Sequence, residues 1–210
     1  DRVLHAMHLR QVESAYAIVA QDLTGKKAND RQRIARLKQW IADSDERPFF
    51  AHVHLLGTHG PWFHSDNPVF SKGKTQRDRF EHDFYDDAVL DFDRMAQEIV
   101  EALEKTGILN NTVIVLYSDH GQAWRNLRVP LGFRFPEGHP ARRIAPNAQN
   151  IDIAPTLLEY LGLPVPSWMD GVSLLHDDPP PQRPVFSVAT DSSAVNQHKG
   201  RVMKHRTTPP

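Results

Sequence analysis

The stretch TVIVLYS, from Thr112 to Ser118, most limits what this chain can fold into. It is a near-continuous apolar, β-branched run of strand length, which suits a strand covered on both faces, as in a parallel sheet. Ahead of it, Phe84, Ala88, Phe92, Met95, Ile99 and Leu103 recur every three or four residues. That spacing predicts a long amphipathic helix, with Gly107 placed to end it in a left-handed conformation. Behind it, VPLGFRF (129–135) predicts another strand. DIAPTLLEYLG then predicts a short helix, with Asp152 as candidate N-cap, Pro155 in the first turn and Gly162 as the stop. Upstream, residues 29–44 predict a helix capped by Asp30, His8 to Leu23 predict another, and PFFAHVHLL from Pro48 predicts a strand. VFSVAT predicts a final strand, followed by an irregular tail or small hairpin. Strands alternating with helices predict the α/β class, with a mostly parallel sheet flanked by helices on both faces.

Composition narrows the function. The net charge of −1 gives no global basic field of the kind that binds nucleic acid or an anionic membrane. The apolar runs fall well short of the ~20 residues that span a bilayer, so no membrane segment is expected in this chain. With no cysteine there is no disulfide, thiolate metal site or Cys nucleophile. Histidine is the unusual count, at 12. Imidazole is both a common metal ligand and a common acid or base.

In α/β folds of this kind ligands sit beyond the carboxyl ends of the strands. Asp119 and His120 fall there, directly after TVIVLYS. On a regular strand neighbouring side chains point to opposite faces. Past the strand end, Gly121 lets the backbone turn, so both can face one ion. A carboxylate and an imidazole suit Zn, Mn or Fe, whereas Ca usually takes oxygen ligands. The same pair also reads as a capping Asp beside a surface His. His59 follows the PFFAHVHLL strand in GTHGPW, where it could contact an anionic oxygen or protonate a leaving group, or simply face solvent. Arg128 precedes a strand and could contact an anion. His52 and His54 share one face of their predicted strand and read as core residues. Asp86, Asp87, Asp91 and Asp93 read as a solvated face early in the long helix, where negative charge is favoured.

Three stretches together resemble the sulfatase branch of the alkaline-phosphatase superfamily. PFFAHVHLLGTHGPW resembles the strand and loop carrying that family's substrate-contacting His. YDDAVLDFDRMAQEIVEALEKTGILNNTVIVLYSDHG resembles its long helix and the strand ending in a metal-binding Asp-His or Asp-Asn. RVPLGFRFP and NIDIAPTLLEYLGLPVPSWMDGVSLL resemble the strand, the D-x-x-P-T-L-L helix and the G-x-S-L segment beyond. The likeness runs in order over residues 47–176. It implies an alkaline-phosphatase-like α/β fold, Asp119 and His120 as metal ligands, and His59 contacting a sulfate or phosphate ester. One divalent ion is implied, Ca2+ ahead of Zn2+ or Mn2+. The reaction implied is hydrolysis of sulfate esters. A phosphoethanolamine or glycerophosphate transferase, a phosphodiesterase, and a binding-only relative or fragment are the alternatives. Family members of this kind often work outside the cytoplasm.

The chain departs from the family at two places. The C/S-x-P/A-x-R setting in which sulfatases carry formylglycine is absent, as is the transferases' Thr setting. The first carboxylate ligands are absent too. The expectation is therefore a fold incomplete at its N-terminus and a chain that shows no turnover alone. Formylglycine would be supplied by a preceding part of a longer enzyme. After Gly121, QAWRNL leads almost directly to RVPL, where the family normally keeps a Lys or a further His. Residues 1–178 are expected to be the C-terminal part of the catalytic domain, and 179–210 a Pro-rich linker and terminal strand or tail of the same domain.

Overall fold

The computed structural model describes residues 30–43, 48–121, 128–136, 141–145, 147–190 and 200–205. They fall into two compact units, one holding the described residues up to Thr112 and the other those from Val113 onward. The predicted helix over His8–Leu23 and the QAWRNL connection lie outside the described residues.

In the first unit, α1 (Asp30–Asp43) packs against α2 (His82–Lys105). Ile34 and Ile41 of α1 are buried, as are Ala88, Met95 and Leu103 of α2. These are the apolar positions that the helical spacing selects, so pattern and packing agree. Arg31 and Lys38 both reach Glu98 across the pair, at 2.5 and 2.9 Å. Gly107 ends α2 at φ +77°. Gly107 N–H donates to the Glu104 carbonyl and Ile108 N–H to that of Leu103, which satisfies two carbonyls that a helix end would otherwise leave open.

The surroundings of α2 correct three sequence expectations. Residues 48–56 form no strand; a strand needs a paired neighbour, and none of the described residues runs alongside. His52 and His54 are accordingly exposed rather than buried in a core. Asp30 is the first residue of α1, and its carboxylate takes the N–H groups of Leu56 and Gly57 and pairs with Arg33 of the same helix. Asp87 is the third correction. It is 1% exposed, not solvated. Its carboxylate accepts the backbone N–H groups of Val69, Phe70 and Ser71 and the Ser71 hydroxyl. The polar loop of residues 65–80 is thereby fastened to the helix. Asp86 and Asp93 do face solvent.

In the second unit, β1 (Ile114–Tyr117) pairs antiparallel with β2 (Leu131–Arg134), Ile114 opposite Arg134 and Tyr117 opposite Leu131. A second antiparallel pair joins β3 (Val185–Thr190) to β4 (Gly200–His205). The predicted strands β1, β2 and β3 are therefore present, but the parallel sheet is not seen among the described residues. A parallel neighbour needs a crossover, usually a helix, to return the chain to the same end. β1 and β2 run antiparallel, so the chain reverses direction between them. β1 is half-buried rather than covered on both faces.

A 3-10 turn, Asn150–Asp152, runs into α3 (Ile153–Tyr160). Gly162 stops this helix at φ +66°, with N–H groups of Gly162 and Leu163 closing on Glu159 and Leu158. Phe135, just past β2, lies 4.9 Å from the Tyr160 ring and ties the hairpin to α3. Asp152 stands at the N-cap position of α3, as expected, but its side chain bonds backward, completing a capping box with Gln149 at the start of the 3-10 turn. At 0% exposure it accepts from Gln149 N–H, Val172 N–H and the Arg183 guanidinium. The Pro-rich stretch is thus fastened at its end to the start of α3. Thr156, equally buried, donates to the Asp152 carbonyl and accepts from Leu174 N–H.

Candidate functional site

His59 sits on a turn built from both ends. Its own N–H donates to the Leu56 carbonyl at 3.0 Å. The Asp30 carboxylate holds Leu56 N–H at 2.9 Å and Gly57 N–H at 2.6 Å. Glycine suits position 57 because an added Cβ would stand 3.1 Å from that carboxylate. Beyond His59, a Cβ on Gly60 would run into the Phe80 ring at 2.1 Å. Gln76 bridges the following residues, accepting from Phe63 N–H and donating to the Pro61 carbonyl. Buried Phe63 packs edge-on against Tyr85 of α2, 5.3 Å between ring centres. The result is a rigid loop with the imidazole of His59 at its exposed crest. An exposed imidazole can hydrogen-bond an anionic oxygen and transfer a proton to it.

A cavity of about 290 Å3 lies beside this turn, with Asp30, Thr58, Asp91, Phe92 and Met95 among its walls. Its carboxylates are engaged in structure: Asp30 with backbone amides and Arg33, Asp91 with Arg94, and Asp66 with His64.

Asp119 and His120 follow β1 in the second unit. His120 Nε2 lies 3.7 Å from Asp119 Oδ2. Two neighbouring ligands at ~2.0–2.4 Å from one ion stand about 3–4 Å apart, so this spacing fits a shared metal. His120 Nδ1 is 2.9 Å from the Gly121 carbonyl. A carbonyl oxygen only accepts, so Nδ1 is the donor in that contact, and Nε2 is the ring nitrogen that lies near Asp119. Asp119 is 65% exposed at its side chain and His120 30%. Both are therefore reachable by an ion without opening the fold. Among the described residues no third His, Asp or Glu joins them. The two side chains alone offer one oxygen and one nitrogen donor 3.7 Å apart.

Sequence reasoning missed what holds the pair. Ser118 Oγ donates to the His120 carbonyl at 2.7 Å, Asn150 Nδ2 donates to the Ser118 carbonyl at 2.8 Å, and Asp119 Oδ1 takes His120 N–H at 3.0 Å. Nothing in the local pattern at Ser118 announces a contact with residue 150. The nearest signal is an Asn standing two residues ahead of an Asp at a helix start. Arg128 is exposed just ahead of β2. His59 belongs to the first unit, whereas Asp119, His120 and Arg128 belong to the second.

Comparison with known proteins agrees in one direction. The sequence model of the family described as Sulfatase matches residues 7–163. Among curated proteins, the chain is 31% identical over 96 residues to arylsulfatase K of Xenopus laevis, covering 40% of this chain and 18% of that one. It is 35% identical over 100 residues to the N-acetylglucosamine-6-O-sulfatase of Bacteroides thetaiotaomicron, covering 41% and 18%. It is 28% identical over 178 residues to human N-acetylglucosamine-6-sulfatase, covering 63% and 32%. The chain thus spans under a fifth of the first two relatives and about a third of the other.

Proposed function

Because the chain belongs to the sulfatase family, we propose that it forms part of a metal-dependent enzyme that hydrolyses sulfate esters. The observation that carries this is the Asp119–His120 pair, with an oxygen and a nitrogen donor 3.7 Å apart at the end of a strand. In this reading Asp119 and His120 hold one divalent ion, Ca2+ in preference to Zn2+ or Mn2+. When bound, the ion would draw electron density from an ester oxygen and lower the pKa of a coordinated nucleophile. His59 contacts the sulfate ester and gives the departing alcohol its proton, for which its exposed position on a stiff loop is suited. Arg128 supplies positive charge to the anionic ester.

The nucleophile, formylglycine in sulfatases, comes from a part of the parent enzyme outside these 210 residues. The 210-residue chain alone gives no turnover. The mostly parallel sheet of an alkaline-phosphatase-like fold belongs to that whole protein, and residues 1–178 are the C-terminal part of its catalytic domain. Its setting is extracytoplasmic: the related SULF-1 homologue of Drosophila melanogaster is an extracellular sulfatase. Among the described residues no helix is long and apolar enough to cross a membrane.

The test is to offer the full-length parent an aryl sulfate and the matching aryl phosphate. Faster turnover of the sulfate is the expected result. Turnover of the phosphate alone would replace the sulfatase reading with a phosphotransferase or phosphodiesterase. Turnover of neither, with no metal bound, would make the protein a binding-only relative.

A further inference from the structure

We propose that Asn150 is a positioning residue for the Asp119–His120 pair, acting through the Ser118 carbonyl. The inference rests on the reading of that pair as metal ligands. Ser118 lies one residue past the last ladder pair, Tyr117 opposite Leu131, so the sheet no longer sets its orientation. The Asn150 amide takes over that task. It donates to the Ser118 carbonyl at 2.8 Å, and this carbonyl belongs to the peptide unit that leads into Asp119. The plane of that peptide fixes the direction in which Asp119 leaves the strand. Ser118 also donates its hydroxyl to the His120 carbonyl at 2.7 Å, closing a tight turn over the two residues. An extended backbone would send Asp119 and His120 to opposite faces. The clamped turn brings their donor atoms to the same side, 3.7 Å apart.

The base of the clamp is rigid. Asn150 opens the 3-10 turn that ends at Asp152. The Asp152 carboxylate is held by Gln149 N–H, Val172 N–H and Arg183 at 2.7–2.9 Å. Gly171 allows the neighbouring strand of chain to come close, since a Cβ there would meet the Ile151 carbonyl at 2.0 Å. The amide of Asn150 therefore projects from a well-fixed point of its unit toward the turn that carries Asp119. A donor in that place organises ligands without touching the ion, as outer partners of metal sites do.

The experiment is calorimetric titration of Ca2+ into the full-length parent and its Asn150→Ala, Asn150→Gln and Asp119→Ala variants, with Zn2+ and Mn2+ titrated in the same way. Amide hydrogen exchange over residues 118–121 of the metal-free proteins runs in parallel. Asn150 is half-exposed, and circular dichroism checks that its variants stay folded. Asn150→Ala is expected to weaken metal binding about 10–100-fold and to speed exchange over 118–121. Asn150→Gln, which keeps the amide donor, is expected to recover most of both. Asp119→Ala is expected to lose binding. If wild type and Asp119→Ala bind alike, or neither binds, the metal reading falls and this inference with it. If Asp119→Ala loses binding while Asn150→Ala binds as tightly as wild type, the inference falls alone.

Discussion

Asp87 shows how much one residue can carry. Burial works against its negative charge, but the Ser71 hydroxyl and the N–H groups of Val69, Phe70 and Ser71 outweigh that cost and bring its pKa down to about 2. A folded-state pKa below the unfolded value of 3.8 gives stability that is present above pH ~4 and lost as pH falls toward 2. A shift of this size corresponds to about 2 kcal/mol. Asp87→Asn is expected to cost about 2–3 kcal/mol at neutral pH, because an amide cannot accept four bonds. Its stability, measured by urea unfolding, is expected to vary less between pH 5 and pH 2.5 than that of the wild type. The sequence hid this role. Four Asp residues within two helix turns look alike, and only Asp87 faces a loop whose backbone donors had no helix or strand to satisfy them. That Asp119 and His120 stand just past a strand was legible, because the apolar run from Thr112 to Ser118 marks the strand ahead of them. Asn150 and Arg183 were not, because their partners lie about thirty residues away along the chain, and spacing says nothing about such contacts.

At the scale of elements, the helices were easier to read than the strands. α2 and α3 carry their own apolar period and their own glycine stops, so local chemistry defines both. A strand is defined by its neighbour, and the neighbour is not local. The run from Thr112 to Ser118 announced a strand but not that β2 would return beside it antiparallel. PFFAHVHLL has strand composition without a ladder among the described residues. The α1–α2 pair makes a prediction of its own. Met95→Ala, at the buried seam, is expected to cost about 2–4 kcal/mol in urea unfolding. Glu98→Gln is expected to cost under ~1 kcal/mol, although Glu98 binds both Arg31 and Lys38, because the group is one-third exposed. The hydrogen bond and charge of Lys38, with Arg31 adding to them, lower the Glu98 pKa despite its partial burial. That small contribution is therefore present above the usual Glu range and fades as pH drops through it. In the second unit, Arg183→Ala strands the Asp152 carboxylate. A loss of about 3–5 kcal/mol is expected from removing one partner of a buried pair, read as a lower melting temperature.

For the whole molecule, family membership and site geometry bear on different questions. The match over residues 7–163 gives the lineage, and the relatives it resembles are named for sulfate ester substrates. The geometry gives this chain's own contribution: a stiff loop presenting His59 and a clamped turn presenting Asp119 and His120. In the proposed reading the nucleophile comes from the complete enzyme, so its chemistry is tested on the full-length parent. The central claim is that Asp119 is a metal ligand in a sulfate ester hydrolase. Aryl sulfate turnover by the full-length parent, compared between wild type and Asp119→Ala under saturating Ca2+, tests it most directly. The account predicts a loss of at least ~100-fold in kcat/KM with the fold intact. Equal turnover in the two proteins would contradict it.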